Sequence, residues 1–588
     1  MTETSVLQGQ AALWKIEDPL PDELRAQLAG ESVMLAHLLY CRGYHTPDEI
    51  ASVLAGTLVS HDPFSLPDMT AAVDRLERAA AAGETVAVYG DFDCDGVTSA
   101  AVLQDVLIRL GLQPITVVPT RRDGHGLHPE IIAALADQGV TLVVTADCGV
   151  TAIEEVRVAQ GMGMEVIVTD HHEPRSDGRL PACLVVAPTR HDATYPFRSL
   201  CGVGVAFKLA EALAARGLIP VPDDLLDLVA LGTIADIVPL RDENRSLVLR
   251  GLHRLHCTVR PGLLALFAEA GVRAADIDPG SVAYYLAPRI NAANRLASPQ
   301  LAFDLLTTAD PAVARDLAAQ LSRYNVQRQR LVEEHLNTVT ASLGAPADVA
   351  AAVQSGERPP LLAVIGSWPP GISGLLASKL VEIYGLPAFV GTGEEIVSVS
   401  GRGVPSSRID DLLERCEAAL PGGIFLGYGG HAGAGGFSVR RDQLEVALGL
   451  LDEAAAELPI ATVGAVLTID AEVRLGTLDL HAAQQVQRLA PFGVGFPEPL
   501  FLVRDVAVRG IKPLRGGHAR LTLSQNGTTR DAVFFGADEA ILSLRPNTVI
   551  DAVGHIQINE WNGRSKPELR VRDWRPVPVP RSRIGTSA

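Results

Sequence analysis

A chain of 588 residues is too long for one ordinary hydrophobic core, so several domains are expected. Its 47% hydrophobic and 20% charged residues fit a folded soluble protein. A formal net charge of −19 argues against a surface coated throughout with nucleic acid, and no stretch reaches the ~18 consecutive apolar residues of a membrane span.

The run from Leu225 to Leu240 comes nearest to such a span, but Asp227 and Asp236 interrupt it. The opening residues Met1 to Ser5 lack the basic start and apolar core of a signal peptide, so a cytoplasmic location without membrane contact is the expectation. Seven cysteines, with no pair spaced Cys-x-x-Cys, indicate neither a disulfide framework nor a structural zinc site.

In chain order, residues 1–69 read as a helical and irregular segment with no chemical motif. Residues 70–300 alternate strand and helix. Thr85 to Tyr89, Leu142 to Thr145 and Glu165 to Thr169 are short buried strands, and helices follow from about Thr98 and Thr151. This alternation predicts a parallel sheet covered by helices. Residues 301–345 are almost entirely helix-like, with a weak break near Asp310-Pro311, and predict a long connector. Residues 346–458 form a second, smaller α/β segment with the glycine-rich stretch Gly427 to Gly436.

Residues 459–577 are β-rich. The strand candidates are Leu502 to Val508, Ala519 to Ser524, Asp531 to Phe535, Thr548 to Ile558 and Glu568 to Val571, punctuated by Gly516-Gly517, Asn526-Gly527 and Asn562-Gly563 turns. Roughly five strands of this spacing suit an OB-like barrel. From Phe501 to Ala588 there are 14 Lys plus Arg against 8 Asp plus Glu, so this end is basic while the rest is acidic. A polyanionic partner belongs there if anywhere, although an ordinary solvated surface has the same composition. Arg515, His518, Arg520, Arg564, Lys566 and Arg570 carry the basic excess, and Trp561, in a turn beside Gly563, offers either a stacking ring or a core cap. Residues 578–588 read as a loose tail.

Three strands end in acidic or imidazole side chains: Asp91-Phe92-Asp93-Cys94-Asp95-Gly96, then Asp147, then Asp170-His171-His172. Ligands bind at the carboxyl ends of strands in an open parallel sheet, so the three loops should converge. Asp236, after an apolar helix, is a fourth candidate. So many carboxylates share a site only if cations neutralise them. Asp oxygen with His nitrogen suits Mn²⁺ or Mg²⁺ better than a pure zinc site, where thiolates are common, and two such ions can activate water for phosphoester hydrolysis. Singly, each piece has a plainer meaning. Asp147 might be only a helix N-cap and His171 a satisfied polar residue. Asp-x-Asp-x-Asp-Gly also opens an EF-hand loop, but that needs Glu at the twelfth position, where Val102 stands. The joint occurrence argues for a metal site.

These motifs, with Gly232-Thr-Ile-Ala-Asp236 and Gly429-Gly-His-Ala-Gly-Ala-Gly-Gly436, resemble those of the DHH phosphoesterase superfamily and its DHHA1 partner domain. The order of parts over about Thr70 to Pro576 resembles the RecJ-type exonucleases of that superfamily. The resemblance implies a DHH catalytic domain, a long connecting helix, a smaller DHHA1 domain and a C-terminal OB-like barrel. It implies 5′→3′ degradation of single-stranded DNA to mononucleotides in repair and recombination, with two Mn²⁺ or Mg²⁺ ions per site. A monomer is expected, with a single-strand-binding protein and a helicase as further partners.

By motif position the resemblance makes Asp91, Asp93, Asp95, Asp147, His171 and Asp236 metal ligands. It puts His172 beside the scissile phosphate and gives Asp170 the orienting of a metal-bound imidazole. It places Arg121, Arg289, Ser400, Arg402, Gly430 and His431 on phosphate, the last two in the glycine-rich loop, where bare backbone amides approach an anion closely. Two departures stand out. Tyr89 occupies a position where some relatives have His, a possible ligand. Asn294, in Pro288-Arg-Ile-Asn-Ala-Ala-Asn-Arg295, replaces a glycine, and its tolerance of positive φ is expected to preserve a turn. Two other functions stay open. A relative acting on short oligoribonucleotides, cyclic dinucleotides or pyrophosphate would need little beyond the two catalytic domains. A non-catalytic nucleic-acid-binding relative would show gaps in the acidic motifs, which are complete here.

Overall fold

In the computed structural model, the described residues are 6–8, 12–28, 32–121, 123–175, 177–404, 407–420, 422–456, 465–537, 539–561 and 563–577. The chain divides into two compact units, one of residues 59–463 and one of both ends, 1–58 and 464–588.

The first sheet of the 59–463 unit is parallel throughout. Its strand order is Ile115–Val117, Val86–Gly90, Leu142–Ala146, Glu165–Thr169, Leu184–Val186. Every residue of Val86–Gly90 and Leu142–Ala146 is buried, as expected of strands covered on both faces. One face holds Ala87, Tyr89, Val143, Val166 and Val168 among the core. The Cys94–Arg109 helix packs against the Gly202–Ala215 and Leu226–Ala235 helices.

Two helices, Gln300–Thr307 and Pro311–Leu343, occupy the connector, with the break where Asp310 caps the second by accepting from the Ala312 amide. The second helix has 33 residues, about 50 Å of rise. It packs on the Ala287–Leu296 helix and on the Pro370–Tyr384 helix. The second sheet runs Gly427–His431, Ala434–Arg440, Ile396–Arg402, Ala388–Thr392, Leu362–Ile365, with only the last pair parallel. The glycine-rich stretch is thus a hairpin of two paired strands rather than an open loop. Gly430 has φ 147°, and a Cβ there would lie 2.3 Å from Gly435 Cα, so its strand can pair this closely only without a side chain.

In the unit of both ends, Phe501–Leu514 pairs with His518–Gln525 on one side and Val549–Trp561 on the other. Thr528–Phe534 pairs parallel with Arg564–Pro576, which closes a five-stranded barrel. Trp561 therefore ends a strand instead of standing in a turn; its side chain and residue 562 lie outside the described residues, as does the tail 578–588.

The opening segment is not wholly helical. Val6–Gln8 and Ala12–Ile16 are antiparallel strands, and Ala12–Ile16 pairs in parallel with Ala465–Ile469. Trp14 is fully buried and its Nε1 donates to Asp573 Oδ2 at 2.8 Å. Arg42 meets Asp470 at 2.6 Å in a buried ion pair. Among the described residues, no helix is long and apolar enough to cross a membrane.

Candidate metal centre

Asp91, Asp147 and Asp170 each follow the last residue of one of three adjacent parallel strands. The ladder runs on through them. The Asp91 amide donates to Ala146 O at 3.1 Å, that of Asp147 to Thr169 O at 3.0 Å and that of Asp170 to Val186 O at 3.2 Å. Backbone pairing thus lines up three carboxylates along the carboxyl edge of the sheet. Asp147 has φ 65°, a left-handed backbone uncommon for a side chain larger than Gly and retained where its surroundings hold it.

The helices supply the rest. Asp93 caps the Cys94–Arg109 helix, accepting from the Gly96 amide at 3.0 Å, and Asp95 lies in its first turn. Asp95 accepts from the Gly202 and Val203 amides at 2.6 and 2.9 Å, at the positive end of the Gly202–Ala215 helix. A Cβ on Gly202 would come within 2.4 Å of Asp147 Oδ1, so only glycine lets that helix approach. Asp236 follows the last residue of the Leu226–Ala235 helix.

Two groups of ligand atoms result that share Asp147. Asp91, Asp93 and Asp147 lie together on one side, and Asp147 joins His171 and His172 on the other; His171 also groups with Asp95 and Asp236. His171 Nε2 is 3.2 Å from Asp147 Oδ1, 3.7 Å from Asp236 Oδ2 and 3.9 Å from Asp95 Oδ2. Asp91 Oδ1, Asp147 Oδ1 and Asp236 Oδ2 are buried without a hydrogen-bond partner. Buried, unpartnered carboxylate oxygens converging with a neutral imidazole are the donor set of a hard divalent cation.

Electrostatics agree. Burial and the neighbouring carboxylates push Asp147 well above the usual range, Asp95 up to about 7 and Asp236 up to about 9. Positive charge placed among them reverses that penalty. Burial and the nearby His172 bring His171 down to about 4, so its ring is neutral, the form that ligates. Burial alone would lower His172 too, but the Asp170 carboxylate outweighs it and raises the ring to about 9.

The imidazole that Asp170 orients is thus that of His172 rather than His171. Asp170 Oδ1 accepts from His172 Nδ1 at 2.8 Å and from both histidine amides, while Oδ2 accepts from the Val150 amide. The ring it holds is the half-exposed one that faces outward. Tyr89 holds no ligand position either. Buried, its hydroxyl donates to Gly126 O at 3.2 Å and accepts from the His128 amide at 3.1 Å. Asn294 needs no positive φ, because it lies inside the Ala287–Leu296 helix, where its amide donates to Phe92 O at 2.9 Å. Asn291 on the same helix accepts from the Cys94 amide at 2.9 Å. The two asparagines brace the acidic loop.

An arginine cluster adjoins the acids. Arg295 is brought down to about 9 by burial and by the charges of Arg121, Arg328 and Arg402. Arg121 lies over the Phe92 ring at 4.6 Å, and Asp93 and Asp91 act on it. The Nε atoms of Arg121, Arg295 and Arg328 are buried without a partner. Arg402, on the second sheet, acts on His431, as does His172 more weakly. Ser400 stands two residues before Arg402 on the same strand, opposite Gly436. Gly430 and His431 are exposed on the hairpin, and His431 Nδ1 accepts from the Gly433 amide at 3.2 Å.

Arg289 keeps other company: it donates to Ser322 Oγ at 3.0 Å and to the carbonyls of Tyr285 and Glu269. Arg295, at the far end of the same motif, stands in the cluster where Arg289 was expected. Arg295, Arg328 and His125 are the site residues that reading by motif position passed over. His125 gives no motif signal; its Nδ1 is 3.3 Å from Asp91 Oδ2.

Three family models match in this order: the DHH family, N-terminal domain, over residues 85–233, the DHHA1 domain over 359–457 and the RecJ OB domain over 469–573. The chain is 33% identical over 585 residues to the single-stranded-DNA-specific exonuclease RecJ of Dickeya dadantii, covering 95% of this chain and 98% of that protein. The Escherichia coli RecJ is 32% identical over 576 residues, covering 94% and 97%. In structure, the chain is similar to the RecJ of Thermus thermophilus in complex with Mn²⁺, with a TM-score of 0.80 and 29% identity over 96% of this chain and 80% of that one. The same protein in complex with Mg²⁺ gives a TM-score of 0.75. Strand-end carboxylates around a shared aspartate, the second sheet beyond the long helix and the closed barrel thus occur together, and the chain belongs to the RecJ family.

Proposed function

We propose that the protein hydrolyses single-stranded DNA from the 5′ end to mononucleotides, using two Mn²⁺ or Mg²⁺ ions held around Asp147. The observation that carries this reading is that Asp147 groups with Asp91 and Asp93 on one side and with His171 on the other, where His171 also groups with Asp95 and Asp236. Bound there, two divalent cations supply an activated water and neutralise charge on the attacking and leaving oxygens. Asp91 and Asp93 would hold one ion, Asp95, His171 and Asp236 the other, and Asp147, grouped with both sets through Asp91 and His171, would serve each. His172, oriented by Asp170, donates a hydrogen bond to the scissile phosphate from the open side. Asp170 is a positioning residue. Arg121, Arg295 and Arg402, with Ser400, His431 and the Gly430 backbone beside them, take the terminal 5′ phosphate, since guanidinium groups bind phosphate bidentately. Holding that end limits reaction to the adjoining bond and sets the direction.

The enzyme acts in DNA repair and recombination, as a monomer in the cytoplasm, on strands that a helicase opens and a single-strand-binding protein covers. The test is degradation of end-labelled single strands with and without Mn²⁺. Release of a labelled mononucleotide from the 5′ end first, abolished by a chelator, is expected. Cleavage only of dinucleotides or cyclic dinucleotides would overturn it.

The barrel supplies grip on the strand. Arg520, Asn559, Arg564 and Lys566 line a cavity of about 240 Å³ together with Asp531 and Glu568. Replacing Arg564 and Lys566 by Ala weakens binding of long single strands and flattens its salt dependence. In a plot of log affinity against log salt, the slope falls by ~0.7 for each phosphate no longer neutralised. Hydrolysis of very short oligonucleotides changes little. Unchanged affinity and slope would give the barrel another role.

A further inference from the structure

His125 sits opposite Asp91 on a loop that the strand itself braces. Tyr89, two residues before Asp91, ties both Gly126 O and the His128 amide through one buried hydroxyl. His128 Nε2 lies 3.2 Å from Gly124 O, so the turn is fastened on either side of residue 125. Held this way, His125 Nδ1 comes 3.3 Å from Asp91 Oδ2, and its ring meets His172 edge-on with centroids 4.8 Å apart. The ring is about half exposed, with 45% of its side-chain surface open.

We propose that His125 is a further metal-ligating residue, completing the coordination of the ion held by Asp91 and Asp93 and biasing that position toward Mn²⁺ over Mg²⁺. The proposal rests on the two-cation reading above. Two ligands at right angles on one ion, with bonds of ~2.1 Å, stand ~3 Å apart, which matches the His125–Asp91 separation. Asp91 Oδ1, buried and unpartnered, leaves that carboxylate a second atom for the same ion. Imidazole nitrogen suits transition-metal ions, whereas Mg²⁺ takes oxygen. A nitrogen ligand at one position therefore separates the two metals there. Tyr89 supplies the strut, and the loop it fastens supplies the imidazole.

Calorimetric titration of the metal-free full-length protein with Mn²⁺ and with Mg²⁺ tests this, comparing wild type, His125→Ala and His125→Asn, each checked for fold by circular dichroism. Wild type should take two Mn²⁺ ions. Both variants should bind one of them at least ~10-fold more weakly, since even a residue that only supports a ligand costs that much when removed. Their Mg²⁺ affinity should change less than the Mn²⁺ affinity. Two Mn²⁺ ions bound by folded His125→Ala and His125→Asn with wild-type affinity would overturn the role of His125 alone. Fewer than two ions in wild type would overturn the two-cation reading and this assignment with it.

Discussion

Asp147→Ala should lose nearly all turnover while keeping its fold. Three observations single out this carboxylate. It belongs to both ligand groups, its Oδ1 is buried with no hydrogen-bond partner, and it lies within 3.2 Å of His171 Nε2. Without it, no other described residue joins Asp91 and Asp93 to His171, and bound ions would repel with no anion between them. Loss of several kcal/mol of charge stabilisation at ~1.36 kcal/mol per tenfold gives a fall in kcat on the order of 10³. Folding should survive, because the substitution relieves the repulsion that pushes Asp147, Asp95 and Asp236 up. Asp147→Asn isolates charge from shape and should fall nearly as far. Single-turnover release of mononucleotide from a labelled strand measures it, and a folded variant with half of wild-type activity would remove Asp147 from the centre of the mechanism.

Arg295→Ala should abolish the preference for a phosphorylated 5′ end. Hydrogen bonds to charged groups are worth ~1.5–3 kcal/mol, so the loss on 5′-phosphorylated strands is roughly 10- to 100-fold. Strands with a 5′ hydroxyl should lose much less. The unpartnered Nε atoms of Arg121, Arg295 and Arg328 motivate this, since like charges gathered by the fold are stabilised when an anion binds. Arg402→Ala should behave in the same way. Arg289→Ala is the control, because that guanidinium is engaged by Ser322 and two carbonyls. Equal losses on both kinds of end would refute an end-phosphate pocket.

What could be read in advance follows from the reach of each interaction. The three strand-end aspartates are legible because parallel strands bring their carboxyl ends to one edge by backbone geometry alone. The barrel strands are legible from turn residues, although each runs longer than its hydrophobic core suggests. Arg295 is harder to choose over Arg289, because the two differ only in which side of one helix meets Gly371, whose carbonyl accepts from Arg295 at 2.7 Å. Asn294 looks like a replaced turn glycine in isolation, and only packing against Phe92 O shows its bracing role. His125 has no periodic or motif context, since its position depends on a hydroxyl two residues before Asp91. Ala12–Ile16 alternates as a strand does and pairs locally with Val6–Gln8, yet its second partner, Ala465–Ile469, lies far along the chain, so nothing local announces that pairing.

That last pairing has a consequence for biosynthesis. Trp14 finds its acceptor 559 residues further along the chain and His37 finds Asp470 O 433 residues further along. At ~5–20 residues per second, the opening segment waits tens of seconds for its partners while the 59–463 unit is synthesised whole and free to fold. During that interval Ala12–Ile16 has only Val6–Gln8 to pair with, so the nascent chain leaves the other edge of that strand and the Trp14 ring uncovered. Chaperone capture and proteolytic cleavage should therefore concentrate around Ala12–Ile16 in chains stalled short of position 465, and the same segment should be protected once Ala465–Ile469 and Asp573 are in place.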